Sequence, residues 1–335
     1  MTVDNLSGAK IAVSGGLGFI GSHFITQALQ LGVKILNIDK ATYAANVSIF
    51  NDALSSNYRL NKIDICDERA VAEAIMSFCP DYFVHFAAES HVDNSIAAPD
   101  AFISTNINGT YVLLKTLNKF LMEGKLSKKF KFIHISTDEV YGELGELGKF
   151  DLNSNYAPNS PYSASKAASD LLVRAWVQTY NFPGIITNCS NNYGPYQNKE
   201  KLIPKVIKNI IEKREVPIYG NGQNIRDWLF VGDHISALFK IINKGKIGEK
   251  YFIGGDTELS NIEIVNLIMK RMLDLGLCDS DVYEQLVFVE DRKGHDFRYA
   301  IDFKETTRKV DWKPETSFEQ GITRTIEFYA NEEIQ

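Results

Sequence analysis

The sequence has little of what marks several large classes of protein. Its 335 residues carry 36 Lys and Arg against 42 Asp and Glu, a formal net charge of −6. There is therefore no basic field for nucleic acid or an anionic membrane, and an acidic ligand has to be held by a local site. The four cysteines, Cys66, Cys79, Cys189 and Cys278, are scattered without a CxxC pair, which favours a reducing, cytoplasmic setting. The opening stretch MTVDNLSGAK lacks the apolar core of a signal peptide. No run reaches the roughly eighteen apolar residues of a membrane span, and no repeat, low-complexity block or Gly/Ser linker is present. What remains is a soluble globular chain, 44% hydrophobic and 23% charged, long enough to bury a substantial core.

What is present is a rhythm. Short β-rich apolar runs at Lys10–Ser14, Lys34–Ile38, Tyr82–Phe86, Phe130–Ser136 and Ile185–Cys189 alternate with amphipathic stretches at Phe19–Leu31, Asp67–Phe78, Ala101–Phe120 and Tyr162–Tyr180. Alternation of this kind predicts right-handed βαβ units and an α/β fold of the Rossmann type, a doubly wound parallel sheet with helices on both faces. After about residue 190 the rhythm loosens into Gly-, Asn- and Pro-rich turns such as SNNYGPYQN and YGNGQN. We expect residues 1–190 to form a dinucleotide-binding domain and 191–335 mainly a smaller substrate-binding lobe, with interleaved boundaries.

Directly after the first strand comes Gly15-Gly16-Leu17-Gly18-Phe19-Ile20-Gly21, which satisfies GxGxxG at 16, 18 and 21 and GxxGxxG at 15, 18 and 21. A strand before it and a helix after it let such glycines make a tight turn and bring backbone close to a pyrophosphate. Eighteen residues past Gly21, at the end of the second strand, Asp39 is placed to accept hydrogen bonds from a ribose diol and to repel a 2′-phosphate. That favours NAD over NADP, with Lys40 beside it pulling the other way. Asp64, after the third strand, is a further candidate at the adenine, and an ordinary strand-end aspartate is the competing reading.

Two more groups stand out. Phe130–Ile135 runs into Ser136-Thr137-Asp138-Glu139, two adjacent carboxylates where a buried strand stops. Pro161-Tyr162-Ser163-Ala164-Ser165-Lys166 opens an amphipathic helix with Tyr162 and Lys166 on one face. A phenol with pKa near 10 is a poor base at neutral pH; lowering it by roughly three units corresponds to about 4 kcal/mol, which a neighbouring ammonium and a positive nicotinamide ring both favour. Alone, YxxxK is a weak signal, since many helices carry it on a solvated face, and an acid pair is by itself more often a solvated strand end or helix cap. Together, with Thr137 and after a dinucleotide loop, they favour a catalytic role over those readings.

In order along the chain, GGLGFIG, AAESHVDNSI, STDEVYG, SPYSASKAASD, TNCSNNYGPY, KLIP, PIYGNG, IRDW and DRKGHDFRYAID resemble the extended short-chain dehydrogenase/reductase family, and within it the dTDP-glucose 4,6-dehydratases. The Asp-Glu pair after Ser-Thr is the discriminating element, because relatives that only epimerise or oxidise a sugar nucleotide lack it there. The resemblance implies an NAD-dependent hydro-lyase. Tyr162, with Lys166 and Thr137, would take the 4-hydroxyl proton as C4 is oxidised, Glu139 would remove the C5 proton, and Asp138 would protonate the departing 6-hydroxyl. Hydride return to C6 would give a 4-keto-6-deoxy sugar. One carboxyl must be ionised while its neighbour is protonated, a split that close like charges favour. Both acids reach one sugar only if the strand ends there and turns.

Carried over residue by residue, the resemblance places Gly15, Gly18, Phe19, Ile20, Gly21, Asp39, Lys40, Thr42 and Asp64 at the cofactor. Ile65, Ala87, Ala88, Ser90, Thr105, Tyr162, Lys166 and Asn192 complete that set. Ser90, Thr137 and Asn191 would touch the hexose. Lys201, Leu202, Ile203, Pro217, Ile218 and Tyr219 would frame the base, and Arg226, Asn261, Arg292 and His295 would surround the diphosphate. A salt bridge to Asp227 competes for Arg226, and no second histidine lies at ligand spacing from His295, so no metal is expected. The chain departs from the family at Lys293, where proline is usual, at Ala41 and Ala45, and in a short loop before Tyr162. The resemblance also implies a homodimer, with the helices near Ala101–Phe120 and Tyr162–Tyr180 as pairing faces. The competing readings are dehydration of UDP-glucose or another nucleotide hexose, a 4-epimerase using only Tyr162 and Lys166, and a silent NAD-binding scaffold.

Overall fold

The computed structural model describes residues 6–46 and 56–334; residues 1–5, which open the MTVDNLSGAK stretch, lie outside the described residues. Twelve strands are found among them: β1 Lys10–Ser14, β2 Lys34–Asp39, β3 Tyr58–Lys62, β4 Tyr82–His85, β5 Lys131–Thr137, β6 Gly184–Cys189, β7 Asn191–Tyr193, β8 Val216–Tyr219, β9 Ile225–Phe230, β10 Lys250–Ile253, β11 Glu258–Ser260 and β12 Leu286–Val289. The helices are α1 Phe19–Gln30, α2 Glu68–Phe78, α3 Val92–Ala97, α4 Asp100–Phe102, α5 Thr110–Met122, α6 Pro161–Tyr180, α7 Leu202–Ile211, α8 Val231–Lys244, α9 Asn261–Asp274, α10 Lys304–Val310 and α11 Phe318–Ile334.

Seven strands form one sheet in the order β10-β6-β5-β4-β1-β2-β3, every pair parallel. Alternating side chains on β1 show why helices cover both faces: Ile11 and Val13 join an apolar cluster with Phe24 and Ile241, while Ala12 joins another with Val71 and Leu117. The chain winds outward from β1 in both directions, so the order reverses between β1 and β4, and ligands of such sheets bind outside the carboxyl ends of the strands at that point. β10, from well past residue 190, completes the large sheet.

The rest of the second half forms two small sheets, β11-β9-β7 and β12-β8, around a separate core that includes Ile207, Ile268 and Ile326 from α7, α9 and α11. Each such fully buried aliphatic side chain contributes about 1.5–3 kcal/mol.

Of the four helices predicted in the first half, the one over Ala101–Phe120 is irregular in build. Between α4 and α5 the chain makes a π-helical segment, Ile103–Gly109. Its Asn106 clamps one residue of the β4 loop: Oδ1 accepts from Glu89 N at 2.8 Å, while Nδ2 donates to Glu89 O at 3.0 Å and to Ser165 Oγ at 2.8 Å. Wide turns of this type recur where a side chain has to be held at a functional site, and an apolar-periodicity reading passes over them.

Candidate active site

A cavity of about 330 Å³ opens at the carboxyl edge of the large sheet, across the point where strand order reverses. Gly15, at the end of β1, has φ +73°, and a Cβ there would lie 2.4 Å from Ala87 N. A Cβ on Gly21 would lie 2.4 Å from Gly15 O. Gly15, Gly18 and Gly21 line the cavity, so of the two overlapping glycine patterns the one at 15, 18 and 21 makes the cradle. Gly18 is the N-cap of α1 and has no side-chain cap. The first N–H groups of that helix are thus left for a ligand, and a helix N-terminus favours an anion.

Asp39 closes the adjacent corner. Its two carboxylate oxygens accept from Leu17 N at 2.9 Å and Ala41 N at 2.8 Å, and burial pushes its pKa up. Lys40 does not present a free cation beside it: its ammonium lies 3.4 Å from Glu89 and 4.0 Å from Asp64, and donates to Thr105 Oγ1 at 3.2 Å. All the residues placed at the cofactor by the sequence, including Phe19, Ile20, Thr42, Ile65, Ala88, Ser90 and Asn192, line this cavity.

At the far end β5 stops at Thr137 and the chain turns into a short 3₁₀ segment, Asp138–Tyr141. Thr137 is its cap: Oγ1 accepts from Glu139 N at 3.2 Å and donates to Asp138 Oδ1 at 3.3 Å. The two acids separate there. Glu139 lines the cavity, whereas Asp138 lies just beneath, 1% exposed, with Oδ2 lacking a hydrogen-bond partner among the described residues. Burial first, then the charges of Glu139 and Asp227, hold the Asp138 proton on well above the usual carboxylate range. Glu139 is also raised by burial, but Arg292, Arg226 and Lys201 pull it back.

Opposite, α6 starts with Pro161 at its first position and a capping box: Ser163 N donates to Ser160 Oγ at 3.1 Å and Ser160 N donates to Ser163 Oγ at 3.0 Å. This fixes Tyr162 and Lys166 in the cavity wall. Lys166 Nζ donates to Ile135 O at 2.8 Å, and burial pushes its pKa down to about 8. The expected lowering of the Tyr162 phenol is not what the protein groups produce. Burial, then Glu139, Cys189 and Asp138, push it well above 10, with Thr137 acting in the lowering direction. The physical reason is first the burial of the phenol in a dry site, and then the charge of Glu139 beside it.

The nucleotide-end residues divide. Asn191 and Lys201 line the cavity, the latter donating to Ser90 O at 3.0 Å. Ile203 and Ile218 do not frame it with their side chains, which are buried in the core of the second half because they sit on the inward faces of α7 and β8. Leu202 packs against the same core. Pro217 lines a separate shallow groove, Asn261 is the first residue of α9, and Tyr219 stands edge-on to His295 at 6.4 Å. Arg226 has no ion pair with Asp227. Its guanidinium donates to Ile225 O, Phe297 O and Asp296 O at 2.7, 3.3 and 2.9 Å and lies over the Tyr299 ring. Arg292 is 3.6 Å from Asp93, with Nε buried and unpartnered among the described residues, and His295 Nδ1 is 2.7 Å from Asp291.

The sequence profile of the GDP-mannose 4,6 dehydratase family matches residues 12–325. The chain belongs to that family. Among its relatives, dTDP-glucose 4,6-dehydratase 1 of Escherichia coli K12 is 48% identical over 333 residues, covering 96% of this chain and 92% of the relative. A probable dTDP-glucose 4,6-dehydratase of Sinorhizobium fredii is 47% identical over 323 residues, with the same coverage. Among solved structures, the dTDP-glucose 4,6-dehydratase of Bacillus anthracis, in complex with NAD, has a TM-score of 0.85 at 40% identity over 98% of each chain. That of Streptomyces venezuelae, also with NAD bound, reaches 0.88 at 38% identity over 96% of this chain and 97% of that one. A UDP-glucose 4-epimerase of Thermotoga maritima reaches 0.86 at 25% identity, over 97% of this chain and all of that one.

For this family member, residues that sequence reasoning passed over also border the site. Cys189 and Ser190 line the cavity at the end of β6, where Cys189 Sγ is 3.4 Å from Ser136 O. Their position at the carboxyl end of a strand adjacent to β5 was the available signal. Glu89, Gln197 and Asn198 also line it and lie in loops that carry no such signal.

Proposed function

We propose that the chain is a dTDP-glucose 4,6-dehydratase, releasing water from a nucleotide hexose to leave a 4-keto-6-deoxy sugar. The observation that carries the reading is the split acid pair: Asp138, 1% exposed, beneath Glu139, which lines the same cavity as Tyr162 and Lys166. The 46–48% identity to dTDP-glucose 4,6-dehydratases over 92% of their length supports the same substrate.

The glycine cradle that a Cβ would fill, the uncapped start of α1 and Asp39 fit a dinucleotide, and Asp39 with an occupied Lys40 fits NAD. Bound NAD would supply a hydride acceptor and donor reused within one turnover. The protein's own groups handle the protons. Tyr162 would accept the proton of the 4-hydroxyl as its phenolate, with Thr137 holding the same hydroxyl. The positive charges of Lys166 and of a bound nicotinamide ring would have to favour that form against the burial and acidic neighbours that raise the phenol. The ketone so formed acidifies the hydrogen on C5, which Glu139 removes as general base. Asp138, kept neutral by burial, donates its proton to the 6-hydroxyl, and water leaves. A 4-epimerase needs only Tyr162 and Lys166, and would have no use for a carboxyl held protonated beneath the cavity floor.

Arg226, Asn261, Arg292 and His295 are assigned to the nucleotide diphosphate, Lys201 and Tyr219 to the base, and Ser90, Thr137 and Asn191 to the hexose. We divide the chain into a dinucleotide-binding part to about residue 190 and a mainly substrate-binding remainder. We also infer a homodimer formed through the α5 and α6 side of the molecule, where Ile103, Tyr111 and Leu171 are 46%, 42% and 48% exposed. Four free thiols support a cytoplasmic setting.

The test is mass spectrometry of the reaction with dTDP-glucose in H₂O and D₂O, with UDP-glucose in parallel. Loss of one water with one solvent deuteron fixed at C5 is the expected result. Turnover of UDP-glucose alone would replace the substrate, and interconversion at C4 without loss of water would replace the reaction.

A further inference from the structure

Behind the cavity a buried polar network, unused by the proton transfers above, joins the two halves of the site. At its centre is Asp170, one turn past Lys166 on α6 and fully buried. Its Oδ2 accepts from Tyr156 OH at 3.2 Å and from Asn188 Nδ2 at 3.0 Å, and its Oδ1 lies 3.2 Å from His134 Nε2. The Asn188 amide also donates to the carbonyl of Thr137 at 3.0 Å, and its Oδ1 accepts from Tyr141 OH at 3.2 Å. Lys250 closes the outer end, donating to Tyr141 OH at 2.8 Å and lying over the rings of Tyr141 and Tyr156.

A carboxylate buried this deeply persists as an anion only with hydrogen bonds and a compensating positive charge. His134 is not that charge, since burial pushes its imidazole down to about 4. Burial alone would raise the Asp170 carboxyl; against it stand, in order, His134, the Lys166 ammonium and the Ser136 hydroxyl, and the net direction is downward. With His134 neutral, the positive charge among them is Lys166. Lys166 Nζ bonds Ile135 O and has no ion pair within 4.0 Å among the described residues, so its charge acts through space. It acts on His85 of β4 and His134 of β5, and is acted on by Cys189 of β6 and by Asp170 one turn on, with Tyr162 on the same helix face. Burial keeps both imidazoles neutral and pushes the Cys189 thiol up to about 12. Of these five groups, Asp170 is the one that brings a negative charge to the ammonium.

We propose that Asp170 is the positioning residue of the site: it supplies the counter-charge to Lys166 and, through Asn188, holds the Thr137 carbonyl from which the Asp138–Glu139 turn departs. The assignment rests on the dehydration reading only for the roles of Tyr162 and Lys166. Neither residue of the link, Asp170 or Asn188, lines the cavity, so both act through others.

The test is Asp170→Asn in the full chain, with the ε-carbon of Lys166 followed by NMR in ¹³C-lysine-labelled protein and assigned with Lys166→Met. The expected midpoint is near 8 in the parent protein and at least about one pH unit lower in D170N. The alkaline limb of C4 oxidation, read from NADH absorbance in a single turnover, should move by the same amount, and Asp170→Glu should restore it. An unmoved lysine midpoint, or a loss of rate equal at every pH, would overturn the proposal. If D170N does not fold, ¹³Cγ-aspartate labelling of the parent protein decides: a carboxylate ionised at pH 7 that responds to the Lys166 titration supports it, and a carboxyl protonated at pH 7 overturns it. Failure of the parent protein to dehydrate any nucleotide hexose would remove the functional reading, while the lysine titration, which needs no substrate, would still judge Asp170.

Discussion

Replacing Asp138 by asparagine should free the protein's stability from part of its dependence on pH. An aspartate in the unfolded chain ionises near pH 3.9. The folded protein holds this one neutral well above that range, because the group is 1% exposed and faces Glu139. Below about pH 4 the group is protonated in both states and has no effect. Above it the unfolded chain releases a proton that the folded chain retains, so stability falls by about 1.4 kcal/mol for each pH unit until the folded carboxyl ionises. A carboxyl that still carries its proton at pH 7, as the role of acid demands, therefore costs about 4 kcal/mol of stability at that pH. Asparagine has nearly the same shape and does not titrate. Whatever its amide costs in a pocket with an unpartnered oxygen is the same at every pH. The difference in unfolding free energy, D138N minus parent, should thus grow by about 4 kcal/mol between pH 4 and pH 7. Equilibrium urea unfolding followed by circular dichroism measures it directly. A difference constant to within about 1 kcal/mol would mean that Asp138 is ionised in the folded protein and cannot be the proton donor.

Other substitutions divide the reaction and the architecture. Glu139→Gln should keep formation of NADH from bound NAD and substrate but lose C5 deuterium exchange and water release by about 10²–10⁴-fold, the usual worth of a general base; undiminished exchange in D₂O would exclude it as the base. Gly21→Ala places a Cβ 2.4 Å from Gly15 O, so it should abolish NAD binding by calorimetry and destabilise the fold by about 1–3 kcal/mol; normal binding would show that the cradle is not the cofactor's. Ile103→Asp, at an exposed apolar position of the π segment, should convert a dimer to monomer in sedimentation velocity, and an unchanged sedimentation coefficient would move the interface elsewhere.

Legibility in the sequence followed the physics of each feature. The strands were readable because a parallel sheet covered on both faces demands near-continuous apolar runs, as at Ile11–Val13 and Phe83–Val84. The cradle was readable because a glycine is needed where Ala87 N approaches Gly15. Burial of individual polar groups was not readable. Asp138 and Glu139 are neighbours in the chain, yet one lies under the floor and the other in the wall, and that separation depends on the turn capped by Thr137. The direction of the Tyr162 shift depended first on how deeply the fold buries the phenol and then on which acids it brings beside it, neither of which a local motif contains. Asp170 stood within the quoted SPYSASKAASD motif, but its charge matters through Asn188 and His134, from strands 18 and 36 residues away.

The π segment sets a geometric phase. The inward-facing pairs Thr105/Asn106, Gly109/Thr110 and Leu113/Leu114 recur every four residues, and in a regular helix each such step would overshoot a full turn by about 40°. The wider π turns absorb the drift of the first of these steps, so Asn106 still reaches Glu89 while Ile103 and Tyr111 are exposed. The angle between the face turned to the cavity loop and the exposed face is therefore set by the π turns, and a one-residue deletion there would rotate one face against the other by about 100°.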